Sequence, residues 1–444
     1  MNLYGQVTLT KDRYGQHRVN GGRPAPNVRL AMFLARLLLR VLSGLVKTDK
    51  RIWIFGLQDL GPAGMCDFKD NSKYMFLYLC NKSNQVVRPI WLTCSRQLAA
   101  ALRRRGYEVY YIASFMGIKS FLKAGCILSH TGFSGIRAML VGRMKVDLWH
   151  GVPLKKLAES NAADYVCATS ESLREHFGTC VGVDPAKVVV SGYPRTDVLF
   201  SSIPGYEIGL EAHLEAIRAL KKRARIVLYT PTFRDYLEEA TFEEFFKEIP
   251  LNATELDSVL ETHGAFLLIK LHDYIRNGRI EHALERISER VYVISEPIDV
   301  YPILREADVL VTDYSSIFFD FLLLDRPIVF YIPDYDMYRR TRGFSLEFES
   351  FTPGPKASTF GDLVTALRSV LEGEDAFKDE RRRVREYVFD YVDANSSERV
   401  FRWLMGVLNL GLHLGTIPNS PENTHRKQTL DILNRHSLVA RRSY

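Results

Sequence analysis

No C-x-x-C pair occurs among the six cysteines of this 444-residue chain, and its eleven histidines show no H-x-x-x-H or comparable spacing. The first absence excludes a disulfide framework: Cys66, Cys80, Cys94, Cys126, Cys167 and Cys180, all in the first half, read as buried thiols in a reducing compartment. The second argues against a structural metal. Neither G-x-x-x-x-G-K-[ST] nor G-x-G-x-x-G is present, which disfavours a P-loop NTPase and a standard dinucleotide dehydrogenase. No metal is expected, so phosphate charge would have to be met by protein groups alone. Long apolar runs are missing too. Between Asn27 and Lys47 no uncharged run exceeds six residues, too short for a spanning helix or a signal peptide.

What is present is a chain with 46% hydrophobic and 25% charged residues, globular in composition and long enough for two domains. Its charge sits at the ends. Residues 1–50 hold nine Lys/Arg against two Asp, and residues 411–444 hold five against two acidic side chains. The body between them is slightly acidic. That balance argues against a nucleic-acid partner and favours terminal contact with an anionic membrane surface.

Residues 1–26 are polar and Gly-rich and read as disordered. In NVRLAMFLARLLLRVLSGLVK at 27–47, Arg29, Arg36, Arg40 and Lys47 fall within about 40° of one another at 100° per residue. One basic stripe on an apolar cylinder fits an amphipathic helix in the membrane interface, or else one docked on the protein's own body. From Lys50, strand-like and helix-like stretches alternate, predicting a parallel sheet covered on both faces. Strands are expected at 51–57, 86–93, 108–113, 126–130, 146–149, 165–169 and 188–191. A second set is expected at 226–230, 266–271, 291–294, 309–312 and 328–331. The fold class is therefore α/β, with two Rossmann-like doubly wound domains at 50–205 and 225–395. A helix at 396–410 crosses back, and 411–444 forms a flexible basic tail. The site is expected in the cleft, at strand C-terminal ends.

Five polar turns follow strands. Asp147–Lys156 carries His150, either a base for an alcohol proton or a capping or core histidine. SGYPRTD at 191–197 presents Arg195, a natural phosphate ligand. YTPTFRD at 229–235 carries Arg234, which binds or pairs with Asp235. Lys270 and His272 flank one strand end. In VTDYSSIFFDF at 311–321, Asp313, Ser315 and Ser316 either cap a helix or offer its N-terminus and two hydroxyls to a phosphate. Asp320 lies one turn on.

WHGVPLKKL at 149–157, SGYPRTDVL at 191–199, YTPTFRD, KLH at 270–272, VTDYSSIFFDF and DRPIVFYIPDYDMYRRTRGF at 325–344 together resemble the CDP-glycerol glycerophosphotransferases. These make poly(glycerol phosphate) teichoic acids and related capsules. The resemblance spans roughly residues 50–405 and implies a GT-B fold with the nucleotide mainly on the second domain. It also implies His150 as general base and His272 as a catalytic holder of phosphate charge. Trp149, Gly151, Val152, Pro153, Arg195, Pro231, Thr232, Lys270, Leu271, Ser315, Ser316 and Asp320 match donor-binding positions, with Arg234 and Asp313 in support. Val152, Thr196 and Asp273 stand where the family usually has Thr, often has Asn and often has Pro.

The implied reaction moves glycerol phosphate from CDP-glycerol to a hydroxyl of a lipid-linked, polyprenyl-type primer or growing polymer, releasing CMP. No cofactor beyond the donor is required. The enzyme would sit peripherally on the cytoplasmic face of the membrane. Alternatives are a GT-B transferase using CDP-ribitol or a CMP-activated acidic sugar, and a non-enzymatic scaffold built on a transferase body.

Overall fold

Short runs of β-branched and aromatic residues closed by polar turns fold as parallel strands, and among the described residues these gather into two sheets. The computed structural model describes residues 8–11, 17–20, 40–56, 68–82, 86–133, 141–157, 161–232, 234, 251–271, 284–285, 288–294 and 298–410. Strands β1 (Thr8–Lys11) and β2 (His17–Asn20) pair antiparallel, inside a stretch whose composition predicts disorder. The tail 411–444, His272 and most of the expected 27–47 helix lie outside the described residues.

The first sheet holds β3 (Asp49–Phe55), β4 (Arg88–Thr93), β5 (Val109–Tyr111), β6 (Ala124–Ser129), β7 (Met144–Asp147), β8 (Tyr165–Ala168) and β9 (Val188–Val190), in the order β5-β4-β3-β6-β7-β8-β9. The second holds β10 (Arg225–Thr230), β11 (Ala265–Lys270), β12 (Val291–Ile294), β13 (Val309–Thr312), β14 (Ile328–Tyr331) and β15 (Lys356–Ala357), in the order β12-β11-β10-β13-β14-β15. Both are doubly wound, and the architecture is GT-B. In each sheet the strand order reverses at its first strand, β3 or β10. Loops leaving adjacent strands at such a reversal diverge and open a crevice at the C-terminal edge.

Bounds for β12, β13 and β14 coincide with the sequence expectation, the other expected strands shift by a few residues at most, and β1, β2 and β15 are not among the expected strands. The segment after β13 departs in detail. The helix that Asp313, Ser315 or Ser316 is expected to open is a five-residue helix, Ile317–Phe321, that tightens into a 3-10 turn over Leu322–Leu324 and stops at Asp325 with φ 51°. After β8, a 3-10 turn capped by Ser170 leads into a helix at Arg174–Val181. Tyr301–Glu306 and Tyr335–Thr341 are helices that no apolar periodicity marks.

One apolar core runs through both lobes, joining Ile54, Trp149 and Tyr193 of the first to Tyr301, Tyr314 and Phe318 of the second. The final helix, Ser396–Val407, lays Val400, Phe401, Leu404 and Met405 against the first sheet, with Phe401 6.1 Å from Trp53 between ring centroids. Its opening amides are capped from a distance: Ser396 and Ser397 N–H donate to Asp197 at 2.8 and 2.9 Å. Among the described residues no helix is long and apolar enough to cross a membrane.

Candidate active site

The loop leaving β7 is built around a backbone that a side chain rarely adopts. Trp149 has φ 57°, a left-handed conformation that costs on the order of 1–3 kcal/mol unless its surroundings enforce it. They do. Its N–H donates to Asp147 Oδ1 at 2.8 Å, and Asn71 Nδ2 donates to the carbonyls of Leu148 and Trp149 at 3.2 and 2.7 Å. The indole is buried, edge-on to Phe177 at 5.6 Å.

This turn brings the exposed His150 ring over Trp149, with centroids 4.4 Å apart, and sets its Nδ1 2.9 Å from the His130 carbonyl. A carbonyl only accepts, so Nδ1 carries the proton and the neutral ring keeps its lone pair on Nε2. His130 is fully buried, with Nδ1 2.9 Å from Ser72 Oγ, and burial pushes its pKa down to about 4. Gly151 follows with φ 144°, and a Cβ there would lie 2.6 Å from Ser316 Oγ. The first lobe's loop thus touches the second lobe's turn at a point only glycine fits.

Arg195 sits beneath that contact, 3% exposed. Its Nη1 donates to Asp70 Oδ1 and Oδ2 at 3.0 and 3.1 Å and to the His150 carbonyl at 2.9 Å, while Nη2 reaches Asp320 Oδ2 at 2.7 Å. Tyr301 also donates its hydroxyl to Asp320, at 2.5 Å. Burial raises the Asp320 pKa against the opposing pull of Arg195 and Tyr301. For Asp70, burial is outweighed by Arg195 and the nearby histidines, and the net shift is downward.

The second lobe's turns are held by a separate cluster. Asp313 accepts from Thr232 N–H at 2.9 Å and from its hydroxyl at 2.5 Å, from Tyr314 N–H at 2.6 Å and from Arg234 Nη1 at 2.5 Å. Arg234 also grips Asp334 at 2.8 and 3.0 Å. Asp313 therefore spends its oxygens on this scaffold and does not cap the following helix. Ser316 makes no side-chain capping bond either, and both serines are half-buried.

Between the lobes lies a cavity of about 200 Å3, lined by Lys69 and Asp70 from the first lobe and by Thr230, Pro231, Lys270, Leu271, Tyr301 and Ser315 from the second. Of the residues singled out in sequence, Pro231, Lys270, Leu271 and Ser315 line it, and Ser316 stands beside it against Gly151. Trp149, Val152, Pro153, Arg195, Thr232, Arg234, Asp313 and Asp320 are buried and are not among its lining residues. For Arg195 that departs from the open phosphate ligand expected: two carboxylates and a carbonyl already occupy its fork. Sequence reading missed Asp70, Asn71, His130 and Tyr301. The polar run Asp70-Asn71-Ser72-Lys73, opening an otherwise apolar helix, was the available signal.

The model of the CDP-glycerol:poly(glycerophosphate) glycerophosphotransferase family matches residues 63–406. The chain belongs to this family. Relatives within the glycerophosphotransferases include a teichoic acid poly(glycerol phosphate) polymerase of Bacillus spizizenii, 30% identical over 286 residues, which are 59% of this chain and 69% of that one. A teichoic acid poly(ribitol-phosphate) polymerase of the same organism is 31% identical over 238 residues, covering 53% of this chain and 36% of the relative. A ribitol-phosphate primase is matched over 60% of its length. The chain thus spans well under two thirds of several curated relatives. The solved structure of the wall teichoic acid polymerase TagF superposes with a TM-score of 0.65 at 20% identity, covering 86% of this chain and 96% of that one, a likeness of fold.

Proposed function

We propose that the chain transfers a polyol phosphate from a CDP-polyol, with CDP-glycerol as the first choice, to a hydroxyl of a lipid-linked acceptor in teichoic-acid-type polymer synthesis, releasing CMP. The observation that carries this reading is the fixed His150 tautomer beside the point where the two lobes touch. In the proposed step the acceptor hydroxyl gives its proton to His150 Nε2 as its oxygen attacks the polyol-bearing phosphorus. The P–O bond to CMP breaks and CMP leaves with the bonding pair. Lys270 and the Ser315/Ser316 turn meet the charge on the phosphates, with His272 assigned the same task by family resemblance. Arg195 and Asn71 act indirectly, one gripping the His150 carbonyl and the other the backbone just before it. Such transfer is governed by positioning and charge.

Ribitol is the second donor, favoured by the poly(ribitol-phosphate) polymerase among the relatives. The acceptor and the peripheral membrane location belong to the same proposal, supported by the surplus of Lys/Arg in residues 1–50. The test is incubation with CDP-glycerol or CDP-ribitol and a lipid-linked primer, with the product identified by mass spectrometry. His150→Ala should abolish product while the thermal unfolding midpoint stays put. Turnover retained in that variant removes the base assignment, and no product with either donor removes the reading.

A further inference from the structure

Two carboxylic residues line the cavity between the lobes, Asp70 from the first and Asp299 from the second, and they are placed very differently. The Asp299 carboxylate is already committed. Its Oδ1 accepts the Tyr301 N–H at 3.2 Å and its Oδ2 pairs with Lys73 Nζ at 3.0 Å, while that ammonium also donates to the Tyr206 carbonyl at 2.7 Å. With the Asp299 side chain 1% exposed and that of Lys73 fully buried, the pair is closed off. Asp70 keeps 20% of its side chain open. Its Oδ1 accepts from Asn71 N–H at 2.6 Å and from Arg195 Nη1 at 3.0 Å, whereas its Oδ2 takes only a share of the same Nη1, at 3.1 Å. Each oxygen of a carboxylate has two lone pairs, so Oδ2 has room for one more donor.

The backbone at this point is also out of the ordinary. A helix opens in right-handed backbone, yet the helix Asp70–Asn81 starts from an extended Lys69 with Asp70 at φ 59°. Asp tolerates the left-handed region better than most residues, though still at a cost. Pairing with Arg195 accounts for a charge here, and a helix-end carboxylate accounts for the bond to Asn71. Neither requires a left-handed turn that leaves the side chain partly open at the cavity, and such outliers gather where ligands bind. Burial opposes the Asp70 charge, but Arg195 and the nearby histidines outweigh it and hold the pKa low, so the cavity meets an ionised acceptor. Even with Lys69 on the same wall, that oxygen repels a diphosphate, which Lys270 and Ser315 across the cleft are suited to hold. What it can bond is a hydroxyl. A CDP-polyol has one uncharged end, and that end is rich in hydroxyls.

We propose that Asp70 Oδ2 accepts a hydrogen bond from a hydroxyl of the donor's polyol, so that the donor lies with its phosphates toward the second lobe and its polyol toward the first. The inference rests on the CDP-polyol reading above and adds a donor-binding residue to it. The test is calorimetric titration, without acceptor, of CDP-glycerol and of CDP-propanol, the same diphosphate ester with its free polyol hydroxyls removed. Wild type should bind CDP-glycerol about tenfold more tightly or better, and Asp70→Asn should erase most of that difference by weakening CDP-glycerol alone. Asp299→Asn should keep the difference. If the transfer assay selects ribitol, CDP-ribitol and CDP-pentanol are the pair to compare. Equal binding of the two esters by wild type overturns the proposal without any variant. So does an equal loss for both esters in Asp70→Asn, a difference unchanged there, or its loss in Asp299→Asn. Wild type that binds neither ester removes the polyol-phosphate reading as well, whereas binding without discrimination leaves that reading standing.

Discussion

Arg195 and Arg234 are both buried guanidiniums held between two carboxylates, yet their surroundings differ in two respects. Both carboxylates of Arg234, Asp313 and Asp334, come from its own lobe. Its Nη1 also meets the Thr232 carbonyl at 2.7 Å, and Tyr314 and Tyr338 lie 5.0 and 5.5 Å from it. Arg195 takes Asp70 from its own lobe and Asp320 from the other, and its Nε and Asp320 Oδ1 are buried without a hydrogen-bond partner. A saturated cluster inside one lobe is a scaffold. An incomplete one across a cleft is a contact that can be remade, and it sits where ligand binding would have to remake it.

That contrast can be broken deliberately. Arg234→Met leaves Asp313 and Asp334 facing each other without a cation, and should cost about 3–5 kcal/mol in urea unfolding. A loss below about 1 kcal/mol would mean the cluster is no scaffold. On the other side, the His130 pKa lies at about 4 in the fold, against about 6.5 when unfolded. The unfolded chain binds more protons between those values, so stability is complete above pH 6.5 and declines as pH falls toward 4. The decline amounts to about 3 kcal/mol, and His130→Asn should flatten that slope in unfolding measured across the window.

Arg195→Met should cost less stability than Arg234→Met, about 2 kcal/mol, because Asp70 is partly solvated. Transfer should nevertheless fall by about 100-fold, since the His150 carbonyl loses its donor and the ring its fixed position. Equal stability losses in the two arginine variants would erase the distinction. Smallest is Ser316→Ala. With no capping bond to lose, unfolding should change by less than about 0.5 kcal/mol while donor affinity drops in calorimetry. A stability loss of about 1 kcal/mol with donor affinity unchanged would restore the capping role.

Much of the frame was legible in sequence because buried parallel strands announce themselves as short apolar runs. Val309–Thr312 and Ile328–Tyr331 needed no tertiary knowledge. β15 did, since Lys356–Ala357 becomes a strand by pairing with β14 and carries no apolar run of its own. The helix Tyr301–Glu306 has a proline as its second residue and is too short to show a period. At the site, residue types were readable and their partners were not. Arg195 meets carboxylates 125 positions away in each direction, so its burial leaves no local trace. Asn71 looks like an ordinary residue near a helix start until the carbonyls of 148 and 149 are placed on its amide.

One joint between the lobes remains to be followed outward. Just past His150, Lys155 forms an antiparallel bridge with Phe344, Ser345 N–H donates to the Leu154 carbonyl at 2.8 Å, and Lys156 N–H to the Gly343 carbonyl at 3.3 Å. The arm bearing the imidazole is therefore stitched to the opposite half of the molecule chiefly by main chain, with the Ser345 hydroxyl adding bonds to the Pro153 and Lys155 carbonyls. Any gaping of the two halves must either unzip those amides or drag the imidazole along. Deuterium uptake at Lys156 and Ser345 would accordingly clock the opening of the jaw, free of any label or substrate.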